Sequence, residues 1–459
     1  MASLKKLPLS KQASLSYQLH AFLKDVFLAQ HVVNPKLTLG LSGGLDSIVL
    51  LHLLCDCNKS LPFQLRAHHI HHGLSANADA WADFCADTCK KLNIPLTISK
   101  VNINKNSGLG IEAAAREARY NALLNENADF ICVAHHQDDQ AETLLLQLAR
   151  GAGVKGLAGM PKYQDKLLRP LLDVPRSALE AYAKEHNFAW IEDESNFDIK
   201  LDRNFMRHEV LPVLEKQYPA IRQTISRAAQ HMAEADILLD ELAEMDVKSC
   251  QLNQVNSKQI ALKPLTGLST ARVKNVLRRW LQQHACDVPS TAQLAQIIEQ
   301  LFHAKADANI KIKASASLIL RRFQGSAYLI ENIEEAVNSD QRGTFNLLWQ
   351  GDQMIVLPDQ SHLLFSQKLG EGIAVRHLVN AQLIVRYRQG GEMLKAEENR
   401  PSRSLKSLFQ TSCIPPWQRE RLPLLFLNDV LAILPSIAVA VSLKAQADEL
   451  GLLVSWQNN

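Results

Sequence analysis

Cysteine is scarce in this chain, with 8 in 459 residues, which excludes a disulfide scaffold. Cys55, Cys57, Cys85, Cys89 and Cys132 fall in patterns that read as helix or strand interior, so reduced thiols are expected. Long hydrophobic runs are also missing. The longest mostly apolar stretch, 430–443, is interrupted by Pro435 and falls short of the roughly 20 residues a spanning helix needs; it reads as core strands. Residues 1–15 scatter Lys5, Lys6, Ser10, Lys11 and Gln12 among their apolar residues, leaving no hydrophobic stretch for a signal peptide. The expectation is a cytoplasmic protein with no membrane association. Charge of one sign is absent as well. Lys plus Arg at 50 against Asp plus Glu at 47 leaves +3, so any contact with nucleic acid must be local and not spread over the whole surface.

What is present is apolar material in quantity: 47% hydrophobic against 21% charged residues excludes wholesale disorder. The length predicts two or three domains and argues against a lone small binding module. The first half alternates short apolar runs with helical patterns, the signature of a parallel sheet with crossover helices. Strands are expected at 36–41, 63–70, 96–101 and 129–134. Helices are expected at 46–56, 78–92, 111–125 and 137–150, and another at 174–187 with Pro175 early in it. Residues 151–161 carry Gly151, Gly153, Gly156 and Gly159 and read as a mobile loop. From 212 to about 304 apolar residues recur at three and four spacing, which predicts a helical segment, and 310–330 alternates like strands around Gly325. Short runs separated by Gly390-Gly391, Pro401, Pro415-Pro416 and Pro423 predict a small β-rich end. The expected boundaries are 1–215 for an α/β domain, 216–332 for a mainly helical one, 333–362 for a linker and 363–459 for the β-rich module.

The strongest chemical signal is Leu39-Gly40-Leu41-Ser42-Gly43-Gly44-Leu45-Asp46-Ser47, placed after a strand and before a helix. Adjacent glycines let backbone approach an anion, and the helix start offers N–H groups without partners. This is a phosphate cradle; it lacks the Gly-Lys-Ser/Thr of a Walker loop and the Gly-x-Gly-x-x-Gly of a dinucleotide fingerprint. A carboxylate at Asp46 would repel phosphate unless a hard cation lay between them, which suggests Mg²⁺. In His135-His136-Gln137-Asp138-Asp139-Gln140-Ala141-Glu142-Thr143, the spacing lets Asp138, Asp139 and Glu142 share a helix face at a strand's carboxyl end. Such clustering is costly without a cation. An organic cation and Mg²⁺ are both candidates, and one carboxylate could act as a base. Arg116 and Arg119 project from an alanine-rich helix with the fork geometry that suits phosphate; Arg119 could equally pair with Glu112 or Glu117. The histidines at 68, 69, 71 and 72 have no Cys pair nearby, and strand alternation allows at most two on one face, which argues against zinc.

The Ser-Gly-Gly-x-Asp-Ser loop resembles that of the ATP-pyrophosphatase family, which cleaves ATP between its α and β phosphates to adenylate a carbonyl oxygen. Further stretches resemble the tRNA(Ile)-lysidine synthetase family within it. They are His71-His72-Gly73-Leu74, Gly110-Ile111-Glu112-Ala113-Ala114-Ala115-Arg116-Glu117-Ala118-Arg119-Tyr120, the His135 to Thr143 segment, Arg169-Pro170-Leu171-Leu172, and Glu192-Asp193-Glu194-Ser195-Asn196 with Arg203-Asn204. The resemblance implies an adenine nucleotide α-hydrolase-like fold and an enzyme joining L-lysine to the wobble cytidine of an isoleucine tRNA with a CAU anticodon. ATP would be a substrate and Mg²⁺ a cofactor, and a homodimer is left open. It also implies ATP contacts at Ser42, Gly43, Gly44, Leu45, Asp46, Ser47, Ala67 and His69, with metal at Asp46 and Asp138. Catalytic work would fall to Asp46, Arg116, Asp138, Asp139 and Glu142.

Near the C-terminus, 386–421 holds eight basic residues against four acidic ones, with Tyr387, Phe409 and Trp417 among them. That surface suits RNA backbone and stacked bases. By resemblance to the family's last domain, Arg386, Arg388, Lys406, Trp417 and Arg419, together with Arg203, would contact tRNA. Sulfur transfer, the nearest alternative chemistry, wants Cys-x-x-Cys or a catalytic pair, and only Cys55-x-Cys57 and Cys85-x₃-Cys89 occur. Glutamine-dependent amidation wants an N-terminal cysteine where Ala2-Ser3 stands. A non-catalytic ATP sensor would have no need of three carboxylates beside the phosphates.

Overall fold

A six-stranded sheet organises the first half of the computed structural model, which describes residues 15–73, 75–101, 111–249, 258–305, 308, 310–332, 345–347, 353–357, 361–378 and 383–457. Residues 1–14, Leu74, Gly110 and the linker positions 333–344, 348–352 and 358–360 lie outside that set. Two compact units emerge, Met1–Leu242 and Ala243–Asn459, so the boundary expected at 215/216 falls inside the first.

In the first unit, helix α1 (Leu15–Ala29) precedes strand β1 (Lys36–Gly40), and α2 (Leu45–Asn58) leads to β2 (Gln64–His71). Then come α3 (Ala78–Lys91), β3 (Leu96–Lys100), α4 (Ile111–Leu124), β4 (Phe130–Cys132) and α5 (Gln137–Ala149). Leu37, Thr38 and Leu39 are buried in succession, as in a strand covered on both faces of a parallel sheet. Helix α2 is apolar on nearly every side and buries Ile48 to Leu51, Leu53 and Leu54, so it lies inside the core. After α6 (Val154–Leu157), β5 (Tyr163–Gln164) and β6 (Leu167–Leu168) complete the sheet in the order β3-β2-β1-β4-β6-β5. All pairs are parallel except β5 with β6. The order reverses between β1 and β4, and a crevice outside the carboxyl ends of two such strands is where open α/β sheets bind ligands.

The glycine-rich stretch expected to be mobile is pinned: α6 lies within it, and the Gln140 side chain holds both N–H and C=O of Met160, at 2.7 and 2.9 Å. The unit continues through α7 (Arg176–Glu185), α8 (Asp202–Phe205), a π-helical turn Met206–Val210, α9 (Leu211–Gln217) and the first part of α10 (Ile221–Ser249). Ile225 and Ala229 of α10 pack with Ala141, Leu144 and Leu211.

The stretch expected to be mainly helical, with strands at 310–330, is so built among the described residues apart from one short strand, Gln259–Ala261. Helices α11 (Thr270–Gln283) and α12 (Thr291–His303) share a core with an antiparallel sheet of β7 (Gln259–Ala261), β8 (Lys311–Lys313), β9 (Leu318–Phe323) and β10 (Ser326–Glu331), ordered β7-β10-β9-β8. Strand β7 is three residues long, too short to leave a period-2 signal. The expected linker contributes β11 (Phe345–Leu347) and β12 (Met354–Val356). These join β13 (His362–Leu369), β14 (Ile373–Ala374) and β15 (Leu383–Arg386), the small pair β16 (Met393–Leu394) and β17 (Arg403–Ser404), then α13 (Leu405–Thr411) and α14 (Pro416–Arg419). Strands β18 (Leu424–Leu427), β19 (Val430–Leu434), β20 (Ala438–Val439) and β21 (Leu450–Gln457) complete the module. The apolar run at 430–443 thus forms core strands as expected. Two sheets, β11-β15-β18-β19-β20 and β12-β13-β21-β14, enclose Leu363, Phe365, Leu383, Val385, Leu425 and Val454.

Candidate active site

The loop between β1 and α2 is held by its own serines. Ser47 Oγ donates to Gly44 O at 2.9 Å and accepts from Gly43 N–H at 3.2 Å, Ser42 Oγ lies 3.1 Å from Ser47 Oγ, and Gly44 N–H donates to Ser42 Oγ. Gly43 has a φ of +87°, and a Cβ there would stand 2.8 Å from Ile191 Cδ1. Gly44 caps α2 without a side-chain bond, so the first N–H groups of the helix, at Leu45, Asp46 and Ser47, have no intrahelical acceptor. The cradle therefore presents backbone donors at the switch point, as anion binding requires.

Asp46 lies in the first turn of α2, beside residues that follow β4. Its Oδ2 is 3.6 Å from His136 Nε2, and its buried Oδ1 has no hydrogen-bond partner. His136, 2% exposed, also places Nε2 3.5 Å from Asp139 Oδ2 and Nδ1 4.0 Å from Asp138 Oδ1. Burial opposes its charge, yet Asp139, Asp46 and Asp138 together raise its pKa above the usual histidine value. Its neighbour His135 is pushed well below that value by burial, assisted by Arg203, Arg119 and Arg116 against the pull of Asp139. His136 thus joins the loop after β1 to the helix after β4.

The three carboxylates of α5 do come together, and the cations they hold are arginines. Arg203 donates from Nη2 to Asp139 Oδ1 and from Nε to Glu142 Oε2, both at 2.8 Å. Arg207 donates from Nε to Glu142 Oε1 at 2.6 Å and from Nη2 to Glu142 Oε2 at 3.0 Å and Asp139 Oδ1 at 3.3 Å. Glu142 is fully buried. Burial raises the pKa of Asp139, but His136, Arg203, His135 and the His136 N–H outweigh it and hold the carboxyl below its usual range. Asp138 accepts from Arg222 Nη1 at 2.9 Å on one oxygen and from Arg176 N–H at 3.2 Å on the other. Arg203 was expected to face tRNA; its guanidinium points inward instead. Composition and family stretches did not single out Arg207 or Arg222. The available signal was the spacing: Arg203 and Arg207 are four apart, matching Asp139 and Glu142 at three.

The cavity beside this network, about 340 Å³, is lined by Asp138, Arg176, Ser177, Glu180, Arg207, His208 and Arg222. Arg116 and Arg119 flank the Tyr120 ring at 5.1 and 5.5 Å from its centroid. Among the described residues neither has a carboxylate partner, so the ion pair of Arg119 with Glu117 is not formed; the Glu112 side chain lies outside that set. Two guanidinium groups with no ion-paired carboxylate among the described residues suit an anionic ligand.

Other expectations need correction. Ala67 and His69, expected to contact ATP, lie within β2, which runs on to His71. Ala67 N–H is taken by Pro95 O, and the His69 ring contacts Leu41 O at 2.9 Å, so both support the loop from inside the sheet and leave nothing of Ala67 N–H for adenine. The two expected metal ligands differ in their surroundings: each Asp138 oxygen accepts one hydrogen bond, whereas Asp46 Oδ1 is unpartnered and fits a cation as it stands. Among the described residues no group of three or more His, Cys, Asp or Glu could hold a metal ion, but Mg²⁺ characteristically takes one or two carboxylates with phosphate oxygens and water.

In the β-rich module the aromatic residues mostly face inward. Phe409 is fully buried. Trp417 packs edge-on against Phe323 and Tyr328, centroids 6.0 and 5.4 Å away, with Arg321 over its ring, so it pins this module to the β9–β10 sheet. Arg419 donates to Ile414 O at 2.8 Å, and Arg386 pairs with Asp429 over the Phe426 ring. Lys406 is exposed on α13, while Arg388 lies over Phe409. The seven described cysteines are free thiols. Burial pushes Cys57 and Cys89 up to about 11 and Cys85 up to about 12, which leaves them poor nucleophiles. Among the described residues no helix is long and apolar enough to cross a membrane.

The sequence is similar to those of known proteins. Residues 12–214 match the PP-loop domain, 261–328 the TilS substrate binding domain and 383–456 the TilS substrate C-terminal domain. The chain is 39% identical over 436 residues to the tRNA(Ile)-lysidine synthase of Nitrosomonas europaea, covering 93% of each chain. It is 38% identical over 439 residues to that of Coxiella burnetii, covering 94% of this chain and 95% of the relative. The U34-tRNA thiolase NcsA of Methanococcus maripaludis gives a TM-score of 0.41 at 23% identity, over 48% of this chain and 78% of that one. With that identity sustained across both units, the chain belongs to the tRNA(Ile)-lysidine synthase family.

Proposed function

We propose that this enzyme uses ATP to join L-lysine to carbon 2 of the wobble cytidine of tRNA(Ile) with a CAU anticodon, forming lysidine. The observation that carries the reading is the convergence of a phosphate loop and a carboxylate cluster on one sheet switch point, in a chain of this family. ATP phosphates rest on the loop from Ser42 to Ser47, with Arg116 on the anionic side. The cytidine carbonyl oxygen attacks the α-phosphorus and pyrophosphate leaves. The lysine ε-amine, having lost its proton, attacks carbon 2, and AMP departs with the oxygen. Asp46 would hold Mg²⁺, which when bound supplies charge neutralisation for the phosphates. Asp138, which lines the cavity, is the carboxylate assigned to the lysine ε-ammonium, while Asp139 and Glu142 hold Arg203 and Arg207 in place beside it. Catalysis is then chiefly positioning and charge stabilisation. Arg388 and Lys406 are assigned to tRNA contact.

Buried, high-pKa thiols argue against sulfur transfer. The test is incubation with labelled lysine, ATP and unmodified tRNA(Ile) bearing CAU. Lysine incorporation with AMP and pyrophosphate release is expected. Sulfur incorporation, or ATP binding without turnover on any tRNA, overturns the assignment. Replacing Asp46→Ala should abolish pyrophosphate release, and unchanged release would remove that residue from the mechanism.

A further inference from the structure

Between α7 and α9 the chain forms a strap that the chemistry above leaves without a task. One end is tied to the phosphate loop. Ile191 N–H donates to Gly43 O at 3.0 Å, and the Ile191 side chain fills the space over Gly43 that a Cβ would occupy. Glu194 then accepts from Asn77 Nδ2 at 3.1 Å, at the start of α3. The other end carries Arg203 and Arg207, bonded to Asp139 and Glu142. Between them one buried side chain folds the strap on itself. Asn204, 6% exposed, donates from Nδ2 to Ser195 O at 2.8 Å and Asp198 O at 2.9 Å. His208 adds a bond from Nε2 to Asn196 O at 2.8 Å.

The strap therefore starts on the loop after β1 and ends on the helix after β4, bridging the two sides of the crevice. Asn204 sits next to Arg203 in the chain, so its two bonds set where that guanidinium stands. Without them two backbone carbonyls lose a partner, a cost that local rearrangement would relieve.

We propose that residues 191–207 act as one stiff strap that keeps the phosphate loop and the carboxylate pair in register, with Ile191 and Asn204 as positioning residues. The two ligands held in register are a nucleoside triphosphate and a primary-ammonium nucleophile, which rests on the lysine-transfer reading above. Displacement of either end lengthens the hydrogen bonds that hold the ligand beside it, and these weaken steeply with distance and angle, so a loosened strap weakens binding on both sides.

The test is steady-state lysidine synthesis at saturating tRNA, varying ATP and lysine separately, for the wild type, Asn204→Ala, Ile191→Ala and Ile191→Val. Asn204→Ala and Ile191→Ala should each raise KM for both ATP and lysine by about tenfold, although Asn204 touches neither ligand and Ile191 adjoins only the ATP side. Ile191→Val, which removes only the Cδ1 atom over Gly43 and keeps the rest of the side chain, should raise both KM values by less than Ile191→Ala does. A change in KM for one substrate alone overturns the strap, as does a fall in kcat with both KM values unchanged, which is what partial loss of folded protein produces. If Asn204→Ala does not fold, Ile191→Ala decides by the same criterion. A wild type that makes no lysidine overturns the functional reading and the strap with it, whereas an active wild type with unmoved KM values in the variants overturns the strap alone.

Discussion

Arg207 donates three of the hydrogen bonds that Asp139 and Glu142 accept inside the fold. Removing one partner of a buried charge pair leaves the other uncompensated, typically at about 3–5 kcal/mol. Arg203 stays on the same two carboxylates, so Arg207→Met should lower stability by less than that, about 1–3 kcal/mol, at pH 7 in urea unfolding. The dependence on pH follows from the sign of the Asp139 shift. Its carboxyl is held below the ordinary 3.8 in the folded state, so its contribution is complete above about pH 4 and is lost as the pH falls through the depressed value. Once protonated, Asp139 no longer needs the guanidinium, and the gap between wild type and Arg207→Met should narrow as the solution is acidified below that point. A gap independent of pH would show that Arg207 acts by packing, not by charge.

At the scale of the element, the phosphate loop makes the sharpest demand on sequence. Gly43 and Gly73 both have positive φ, but a Cβ at Gly43 would press on Ile191 Cδ1 while one at Gly73 meets nothing within 4 Å. Gly73→Ala should cost about 1 kcal/mol, the ordinary penalty for that backbone region. Gly43→Ala should in addition displace the loop and raise KM for ATP by at least about tenfold; equal behaviour of the two variants in ATP titrations would refute the crowding argument. The loop was legible because strand, glycines and helix follow one another in the chain, and so were the four parallel strands with their crossover helices. The partners of the acidic cluster were not. Arg203, Arg207 and Arg222 are 61 to 84 residues away from the carboxylates they bind, and nothing local marks a guanidinium as inward-facing. The same blindness placed Trp417 and Phe409 on an RNA surface: local composition records that an aromatic is present among basic residues, whereas the direction of its ring is set by β9 and β10. Strands of two or three residues, such as β7, β11 and β12, are held by register with distant neighbours and leave no periodicity to read.

Over the whole molecule, a formal charge of +3 must be reconciled with an RNA substrate. Much of the basic excess at 386–421 is spent internally: Arg386 on Asp429, Arg400 on Glu397, and Arg419 on a backbone carbonyl. Five cations of that segment, Arg388, Lys395, Arg403, Lys406 and Arg421, remain to meet phosphate, so tRNA affinity should fall as salt rises. Each phosphate contact contributes about 0.7–0.9 to the slope of log affinity against log salt. Lys406→Ala should therefore lower that slope by about 1 and weaken binding, with kcat at saturating tRNA unchanged. Trp417→Ala offers the contrast. It removes edge-on ring contacts worth about 0.5–1.5 kcal/mol each and loosens the module from the β9–β10 sheet. It should thus lower the unfolding midpoint and the affinity together while leaving the salt slope intact. Binding measured over a salt series separates the two. A slope that drops for Trp417→Ala would show that its loss releases cations from the RNA, and a slope unmoved by Lys406→Ala would take that lysine off the phosphate backbone.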